Sequence, residues 1–172
     1  MQKLARANLL SLFASEQYGG QNADYVTMGI ANEELSRSTM GAAGVTIFAG
    51  IGAQLFGITA QEHRDRWLPS IINGDAMIAA CFTEPEHGSD LAGLACRARR
   101  EGDYFIINGE KTSISFGNVA KVAFVWVRTG TVESGPRGVS LLLVPTDVEG
   151  LHITVFDDMG LTIVGRASFI FD

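Results

Sequence analysis

Residues 83–90 combine side chains whose types and spacing could do chemistry. They read Thr-Glu-Pro-Glu-His-Gly-Ser-Asp and follow a run of apolar residues. Gly88 would allow a ligand to approach the backbone closely, and Thr83 and Ser89 each offer a hydroxyl group. Such groups can hold a phosphate or the edge of a heterocycle without a charged side chain. The same composition is also typical of a surface turn, so the residues alone leave both interpretations open.

Other kinds of site find less support in the sequence. The loop lacks the glycine spacing of the P-loop and of the dinucleotide-binding fold. The chain has two cysteines, Cys81 and Cys96, whose spacing matches neither a disulfide framework nor a metal cluster, and its three histidines are far apart. We therefore expect no metal site. A reducing compartment fits best, either the cytoplasm or, in a eukaryote, the mitochondrial matrix.

The elements that must position this loop change character along the chain. Apolar residues at helical spacing predict helices over residues 2–16, 24–37 and 59–74, the last with a capping-box pattern at residues 59–62. Between them, residues 38–61 carry no charge and are long enough to span a bilayer. Glycine is frequent in this segment, and no aromatic belt flanks it. We expect a tightly packed helix of a soluble protein and no membrane span.

From Met77 onward the periodicity is that of short strands. Glycine-containing turn signals separate the runs, among them Asn108-Gly109, and no helix of ten or more residues is predicted between them. The strand predictions cover residues 77–83, 95–100, 104–108, 111–116, 122–128, 139–145, 151–156 and 167–171. The predicted fold class is therefore α+β, with an N-terminal helical domain over residues 1–76 followed by an antiparallel β-barrel domain over residues 77–172.

Charge and composition restrict the partners. The chain carries 13 Lys and Arg against 19 Asp and Glu, a net charge of −6, and 47% of its residues are hydrophobic. The hydrophobic content is sufficient for a core. An acidic chain without a basic cluster is a poor candidate for binding nucleic acid, so we expect no nucleic-acid partner.

Two motifs in the predicted strand region are more specific than this composition. The first is CFTEP at residues 81–85 followed by GSD at residues 88–90, and the second is NGEKTSIS at residues 108–115. They resemble the first signature and the NGxKxWIT strand of the acyl-CoA dehydrogenase family of flavoproteins. Further similar patches extend the resemblance over nearly the whole chain, in the family's order: residues 16–20, 33–37, 66–69, 73–75 and 165–172.

This resemblance implies that FAD is bound against the β domain. Thr83 would lie near the pyrimidine edge of the flavin, and Ser89 would also bind the acyl-CoA substrate. The implied cofactor-binding residues are Ala80, Cys81, Phe82, Thr83, Gly88, Ser89, Ser113, Ile114 and Ser115. The chain departs from the family pattern at Ser113, where Trp is usual, and at Ser115, where Thr is usual.

The resemblance also implies a reaction, the α,β-dehydrogenation of an acyl-CoA thioester. A base removes the Cα proton, the hydride leaves Cβ for flavin N5, and an electron-transfer flavoprotein takes the electrons. The family's catalytic base belongs to a C-terminal helical bundle, so we expect no catalytic base within residues 1–172 and no turnover by this chain alone. Glu84 is interpreted as a structural acceptor. As a full-length protein we expect a homo-oligomer, a dimer or tetramer.

Two alternatives remain open from the sequence. One is a non-catalytic scaffold that binds flavin or acyl-CoA without the reaction. The other is an acyl-CoA oxidase-like relative.

Overall fold

Four α-helices precede seven β-strands along the chain. The computed structural model describes residues 1–172, which divide into two compact units, Met1–Ile78 and Ala79–Asp172. The helices are α1 (Gln2–Arg6), α2 (Tyr25–Ser38), α3 (Met40–Gly57) and α4 (Gln61–Ile72). The strands are β1 (Met77–Cys81), β2 (Arg97–Glu101), β3 (Tyr104–Ile114), β4 (Ala120–Arg128), β5 (Val139–Pro145), β6 (Leu151–Val155) and β7 (Ala167–Phe171).

The first helix is shorter than its apolar pattern predicts. It ends at Arg6, whereas the periodicity extends to residue 16. Asn8 adopts a left-handed backbone with φ of 58°, a conformation that asparagine tolerates better than most residues. The chain then continues as turns in which Leu10 and Leu12 are buried. The prediction of a long helix was wrong because the apolar spacing here serves a buried irregular segment.

Helices α2 and α3 follow each other across one shared cap residue. The Asp24 carboxylate accepts a hydrogen bond from the Thr27 backbone at 2.8 Å and begins α2, which confirms the helix predicted there. Thr39 ends α2, and its hydroxyl accepts from the Gly41 backbone to begin α3. Two side-chain oxygens thus satisfy backbone donors at the starts of the two helices.

The glycine-rich helix α3 packs closely inside the helical unit. A Cβ atom at Gly50 would lie 2.7 Å from Cε of Met28 and 2.8 Å from Cδ2 of Phe13, so both side chains pack against bare backbone. By length and mean hydropathy, 1.4, α3 could cross a membrane, but half of its residues are buried within the protein. Gly50 is explained by side-chain packing, since both contacts need the space that a Cβ would fill.

Helix α4 begins without the predicted capping box. Its N-cap residue is Ala60, and the Thr59 hydroxyl instead donates to the Phe56 carbonyl at 2.9 Å. The predicted end is confirmed, because the helix stops at Ile72 and Gly74 follows with φ of 75°.

The strands form a curled, mixed sheet that resembles half of a barrel. Its strand order is β1-β4-β2-β3-β7-β6, with β5 paired to β4. The α+β class is confirmed. The sheet is not wholly antiparallel, because β2 and β4 run parallel where Arg97 pairs with Arg128.

One long strand, β3, replaces two predicted short ones. The Asn108-Gly109 pair does not turn, whereas the turn also predicted at residues 101–103 is confirmed: the hairpin reverses between Glu101 and Tyr104, where Gly102 has φ of 60°. Gly109 has φ of 137°, and a Cβ there would lie 2.8 Å from Cα of Cys96. The turn prediction was wrong because this glycine serves a close backbone approach inside the sheet.

The β unit encloses its own apolar core. Alternate residues of β1, β4 and β7 belong to it, as the two-residue period of a strand requires. Its buried members are Ala79, Cys81, Cys96, Ala98, Ile114, Ala120, Ala123, Val125, Val127, Val144, Ala167, Phe169 and Phe171.

Candidate functional site

The loop after β1 and the end of β3 lie side by side. The Thr112 backbone N–H donates to the Thr83 carbonyl at 2.8 Å. Beside it, Nζ of Lys111 donates to the Phe82 carbonyl at 3.0 Å across a separation of 29 residues. The structure therefore brings together the two motifs that the sequence singled out.

Strand alternation decides which side chains at the end of β1 could face a ligand. Cys81 is fully buried in the core, whereas Ala80 and Phe82 are half-buried. The Phe82 ring stacks on Trp126 with centroids 3.6 Å apart and an interplanar angle of 21°. Burial raises the pKa of the Cys81 thiol, so this residue is no nucleophile. Cys81 could contact a ligand only through its backbone.

The second motif shows the same division between core and surface. Ile114 is 2% exposed and belongs to the core, while Ser113 is exposed and Ser115 is half-buried. Like Cys81, Ile114 could contact a ligand only through its backbone.

Residues 84–93 form two consecutive tight turns. The backbone groups of Glu84 and His87 exchange hydrogen bonds at 2.9 and 3.2 Å, and the Gly93 N–H donates to the Asp90 carboxylate at 3.1 Å. Gly88 and Ser89 between them are exposed. A Cβ at Gly88 would meet no atom within 4 Å, so this side of the loop leaves room for a ligand.

Hydroxyl groups lie on both of the segments that the hydrogen bond between Thr112 and Thr83 joins. Thr83 is half-buried and Ser89 is exposed. Ser113 accepts a long hydrogen bond of 3.4 Å from Nη1 of Arg166. Each hydroxyl can both donate and accept, which suits the polar edge of a heterocycle.

The backbone at Ser113 is strained. Its φ is 58°, in the left-handed region, and it lies where the pairing of β3 with β7 shifts register between Lys111 and Ile114. Left-handed backbone at a residue other than glycine is uncommon and concentrates at functional sites. The irregularity accompanies the change from buried Lys111 to exposed Ser113 along the strand.

Arg166 is a site residue that sequence reasoning did not single out. Its guanidinium forms a bidentate ion pair with Asp158 at 2.9 and 2.6 Å and lies 5.5 Å from the centroid of the Phe156 ring. The hydrogen bond from Arg166 lowers the pKa of the Asp158 carboxyl. These residues lie in an irregular segment, where no periodic pattern could have indicated the pair.

Glu84 is buried beneath the loop, with both carboxylate oxygens occupied. Oε1 accepts from Nζ of Lys111 at 2.8 Å and from the Cys96 backbone at 2.9 Å, and Oε2 accepts from the Ala95 backbone at 2.6 Å. Burial alone would raise the pKa of Glu84, but these hydrogen bonds together lower it. The carboxylate is held ionised and has no oxygen free to take a substrate proton.

The lowered pKa of Glu84 predicts a dependence of stability on pH. The carboxylate contributes to the free energy of unfolding in full above its ordinary pKa of 4.5, and the contribution is lost as the pH falls through the lowered folded-state value. Glu84→Gln should therefore flatten the acid limb of a plot of unfolding free energy against pH, measured by urea titration between about pH 3 and 6. Glu86→Gln, in the exposed part of the same loop, should leave that limb unchanged. An equal slope for wild type and Glu84→Gln would contradict the assignment.

Comparison with known families gives matches over both units. A model described as the N-terminal domain of acyl-CoA dehydrogenase matches residues 1–75, and one described as the middle domain matches residues 79–172. The chain is 34% identical over 152 residues to a mitochondrial isobutyryl-CoA dehydrogenase of Dictyostelium discoideum. The aligned region covers 88% of this chain and 36% of that protein.

Solved structures show the same similarity. An acyl-CoA dehydrogenase from Geobacillus kaustophilus superposes with a TM-score of 0.86 at 30% identity, over 99% of this chain and 46% of that one. A glutaryl-CoA dehydrogenase from Mycobacterium smegmatis gives 0.87 at 31% identity, over 99% of this chain and 43% of that one. The chain thus spans less than half the length of these relatives.

Proposed function

The chain belongs to the acyl-CoA dehydrogenase family, and on that premise we propose that its protein oxidises an acyl-CoA thioester between Cα and Cβ with FAD as cofactor. The observation that carries the proposal is the meeting of the two motifs. The hydrogen bond from Thr112 to Thr83 sets the loop of residues 83–90 against the end of β3, with hydroxyl groups on both segments. That arrangement suits a flat heterocycle whose polar edge needs donors.

The residues present fit a flavin. Phe82 and Trp126 form a stacked aromatic surface, Gly88 leaves open space, and Thr83 and Ser115 bring hydroxyl groups to the two segments. When bound, FAD supplies the hydride-accepting ring of the reaction. Thr83 and Ser115 would hold the ring's polar edge, the backbone at residues 80–82 and 114 would line it, and Ser89 would bind the acyl-CoA.

We propose that the base comes from outside residues 1–172. Glu84, the acidic residue of the first motif, is unsuitable, because Lys111 and two backbone N–H groups occupy its carboxylate. A general base must reach the substrate proton with a free oxygen, and the buried Glu84 does not meet that condition. On this account the 172-residue chain by itself binds ligand but does not turn over substrate.

The other parts of the proposal follow from the family alone. We propose an electron-transfer flavoprotein as electron acceptor, a homo-oligomeric full-length protein, and a location in the cytoplasm or the mitochondrial matrix. These parts are tested by reduction of a purified electron-transfer flavoprotein, by light scattering and by cell fractionation.

The central experiment compares the protein encoded by the whole gene with the 172-residue chain. Each is purified, examined for the visible flavin spectrum and assayed with straight, branched and dicarboxylic acyl-CoA esters and a dye acceptor. We expect both proteins to show the flavin spectrum, and we expect only the whole protein to reduce the dye. Yellow protein without turnover would indicate a binding scaffold, and hydrogen peroxide production with oxygen would indicate an oxidase. A colourless whole protein that also fails to bind added FAD would overturn the proposal.

Ser115→Ala should slow flavin reduction more than it weakens substrate binding. A donor to the flavin matters most as negative charge develops on the ring, so its loss affects the rate rather than KM. Because Ser115 is only half-buried, we expect about a tenfold slower reduction, equivalent to about 1.4 kcal/mol. Stopped-flow bleaching of the flavin measures the rate, with Ser36→Ala on the exposed surface of α2 as control. An unchanged rate would remove Ser115 from the site.

A further inference from the structure

The buried ion pair between Glu84 and Lys111 lies directly beneath the proposed flavin site. Lys111 has no exposed surface, and the Glu84 side chain is 4% exposed. The Lys111 ammonium contacts both the Glu84 carboxylate, at 2.8 Å, and the Phe82 carbonyl, at 3.0 Å. Glu84 in turn holds the backbone N–H groups of Ala95 and Cys96. The pair therefore joins three separate segments of the β unit through five polar groups.

Each of these segments bears on the site. Phe82 and Thr83 immediately precede Glu84, and Thr112 and Ser113 immediately follow Lys111. The Thr112 N–H also donates to the Thr83 carbonyl, so the same two segments are joined both by this backbone hydrogen bond and by the ion pair. Residues 95 and 96 lead into β2, where Arg97 pairs with Asn108 of β3. Any movement of Glu84 or Lys111 would alter the spacing between the two groups of hydroxyl-bearing residues.

Stability alone is a weak reason for such a pair. Moving two charges out of water is costly, and well-packed apolar residues in the place of a buried ion pair are often as stable or more so. A buried pair with several fixed hydrogen bonds does restrict geometry, because neither charged group can leave its partners without large cost. The arrangement here restricts the two segments that would enclose a ligand.

We propose that Glu84 and Lys111 are positioning residues, which fix the loop of residues 83–90 against the end of β3 and so set the distance between the Thr83 and Ser115 hydroxyls before the cofactor binds. This inference rests on the proposed function, since it takes that site to be the flavin site. Neither side chain touches the cofactor; both act through backbone and side-chain hydrogen bonds to the segments that do.

The test uses the whole protein and the double variant Glu84→Gln/Lys111→Met, which removes both charges together. Gln keeps an oxygen for one of the backbone N–H groups, and no uncompensated charge remains buried. We expect the variant to fold, to bind FAD about tenfold more weakly or worse, and to show altered visible circular dichroism of the flavin, as when a supporting contact behind a ligand is removed. The value of kcat should fall more than KM for acyl-CoA rises.

A measurement on the unmodified protein keeps the proposal testable if the variant does not fold. Hydrogen exchange should show the Ala95, Cys96 and Thr112 amides already protected without FAD, with little further gain when FAD is added. Fast exchange of these amides without FAD, with protection only after its addition, would overturn the proposal.

The failures of the two proposals are distinguishable. Suppose that the wild-type protein binds FAD and that the folded double variant has an unchanged FAD affinity, flavin dichroism and kcat. That result would leave the proposed function standing, and it would show that the pair has only a structural role. A wild-type protein that binds no FAD would overturn both.

Discussion

Lys111→Met is expected to lower the free energy of unfolding by about 3–5 kcal/mol, the cost of breaking a buried ion pair from one side. The substitution leaves the Glu84 carboxylate buried beside the Ala95 and Cys96 amides with no cation near it. It also removes the donor to the Phe82 carbonyl. Urea unfolding of wild type and variant, with fluorescence and circular dichroism as coincident probes, measures the difference.

Lys121→Met is the matched control for this experiment. It makes the same chemical change at an exposed position of β4, where the ammonium has no ion-pair partner, and should change the unfolding free energy by less than about 0.5 kcal/mol. The loss in Lys111→Met should also shrink as the pH falls, because without the lysine burial raises the pKa of Glu84 and protonation removes the unpaired charge. A loss below about 1 kcal/mol at neutral pH would contradict the buried pair.

Arg128→Met is expected to cost about 3 kcal/mol, the upper part of the range for hydrogen bonds to a charged group. Arg128 is 2% exposed, and its hydrogen bonds go to backbone groups and not to a carboxylate. Its guanidinium instead donates to four backbone carbonyls, those of Ala92, Leu94, Thr131 and Gly135. One planar group therefore joins two segments of the chain, residues 92–94 and residues 131–135, and its loss removes a donor from all four carbonyls.

The shape of the guanidinium matters in this prediction as much as its charge. Arg128→Lys should recover only a small part of the loss, because a single ammonium cannot reach carbonyls on both loops at once. Arg137→Met, at an exposed position of the neighbouring turn, is the control and should have little effect. Thermal and urea unfolding measure stability, and limited proteolysis shows whether residues 91–96 and 129–138 open. Full stability of Arg128→Lys would contradict the four-carbonyl arrangement.

The loop of residues 83–90 in the candidate site shows how far sequence reasoning extends. Residue types at positions 83–90 left a surface turn and a ligand loop both open, and only the resemblance favoured the ligand loop and supplied a cofactor for it. The direction of each side chain required the structure, since the alternation that buries Cys81 and leaves Phe82 half-buried depends on which face of β1 meets the core. For Ser113 the left-handed backbone is set by a register shift against β7, a strand more than fifty residues away.

Charged residues were the least predictable part. Lys111 follows an Asn-Gly pair and a glutamate, a context typical of a solvated turn, yet it is fully buried. Its partner Glu84 is 27 residues away, and the carbonyls of Ala92 and Leu94 are 36 and 34 residues from Arg128. Local patterns carry no signal for contacts of this range, because propensity and periodicity describe only neighbouring residues.

The sequence by itself determined the order of the elements, helices before Met77 and strands after it, because apolar periodicity and turn residues are local properties. It also determined the family, through motifs in the right order. Only the tertiary structure decided that β3 runs unbroken through Asn108-Gly109 and that Arg166 donates a hydrogen bond to Ser113. It also decided that the ionised Glu84 carboxylate is paired with Lys111 and has no oxygen free to act as a base. Each of these depends on the register of distant strands, where burial and hydrogen-bond satisfaction outweigh local preference.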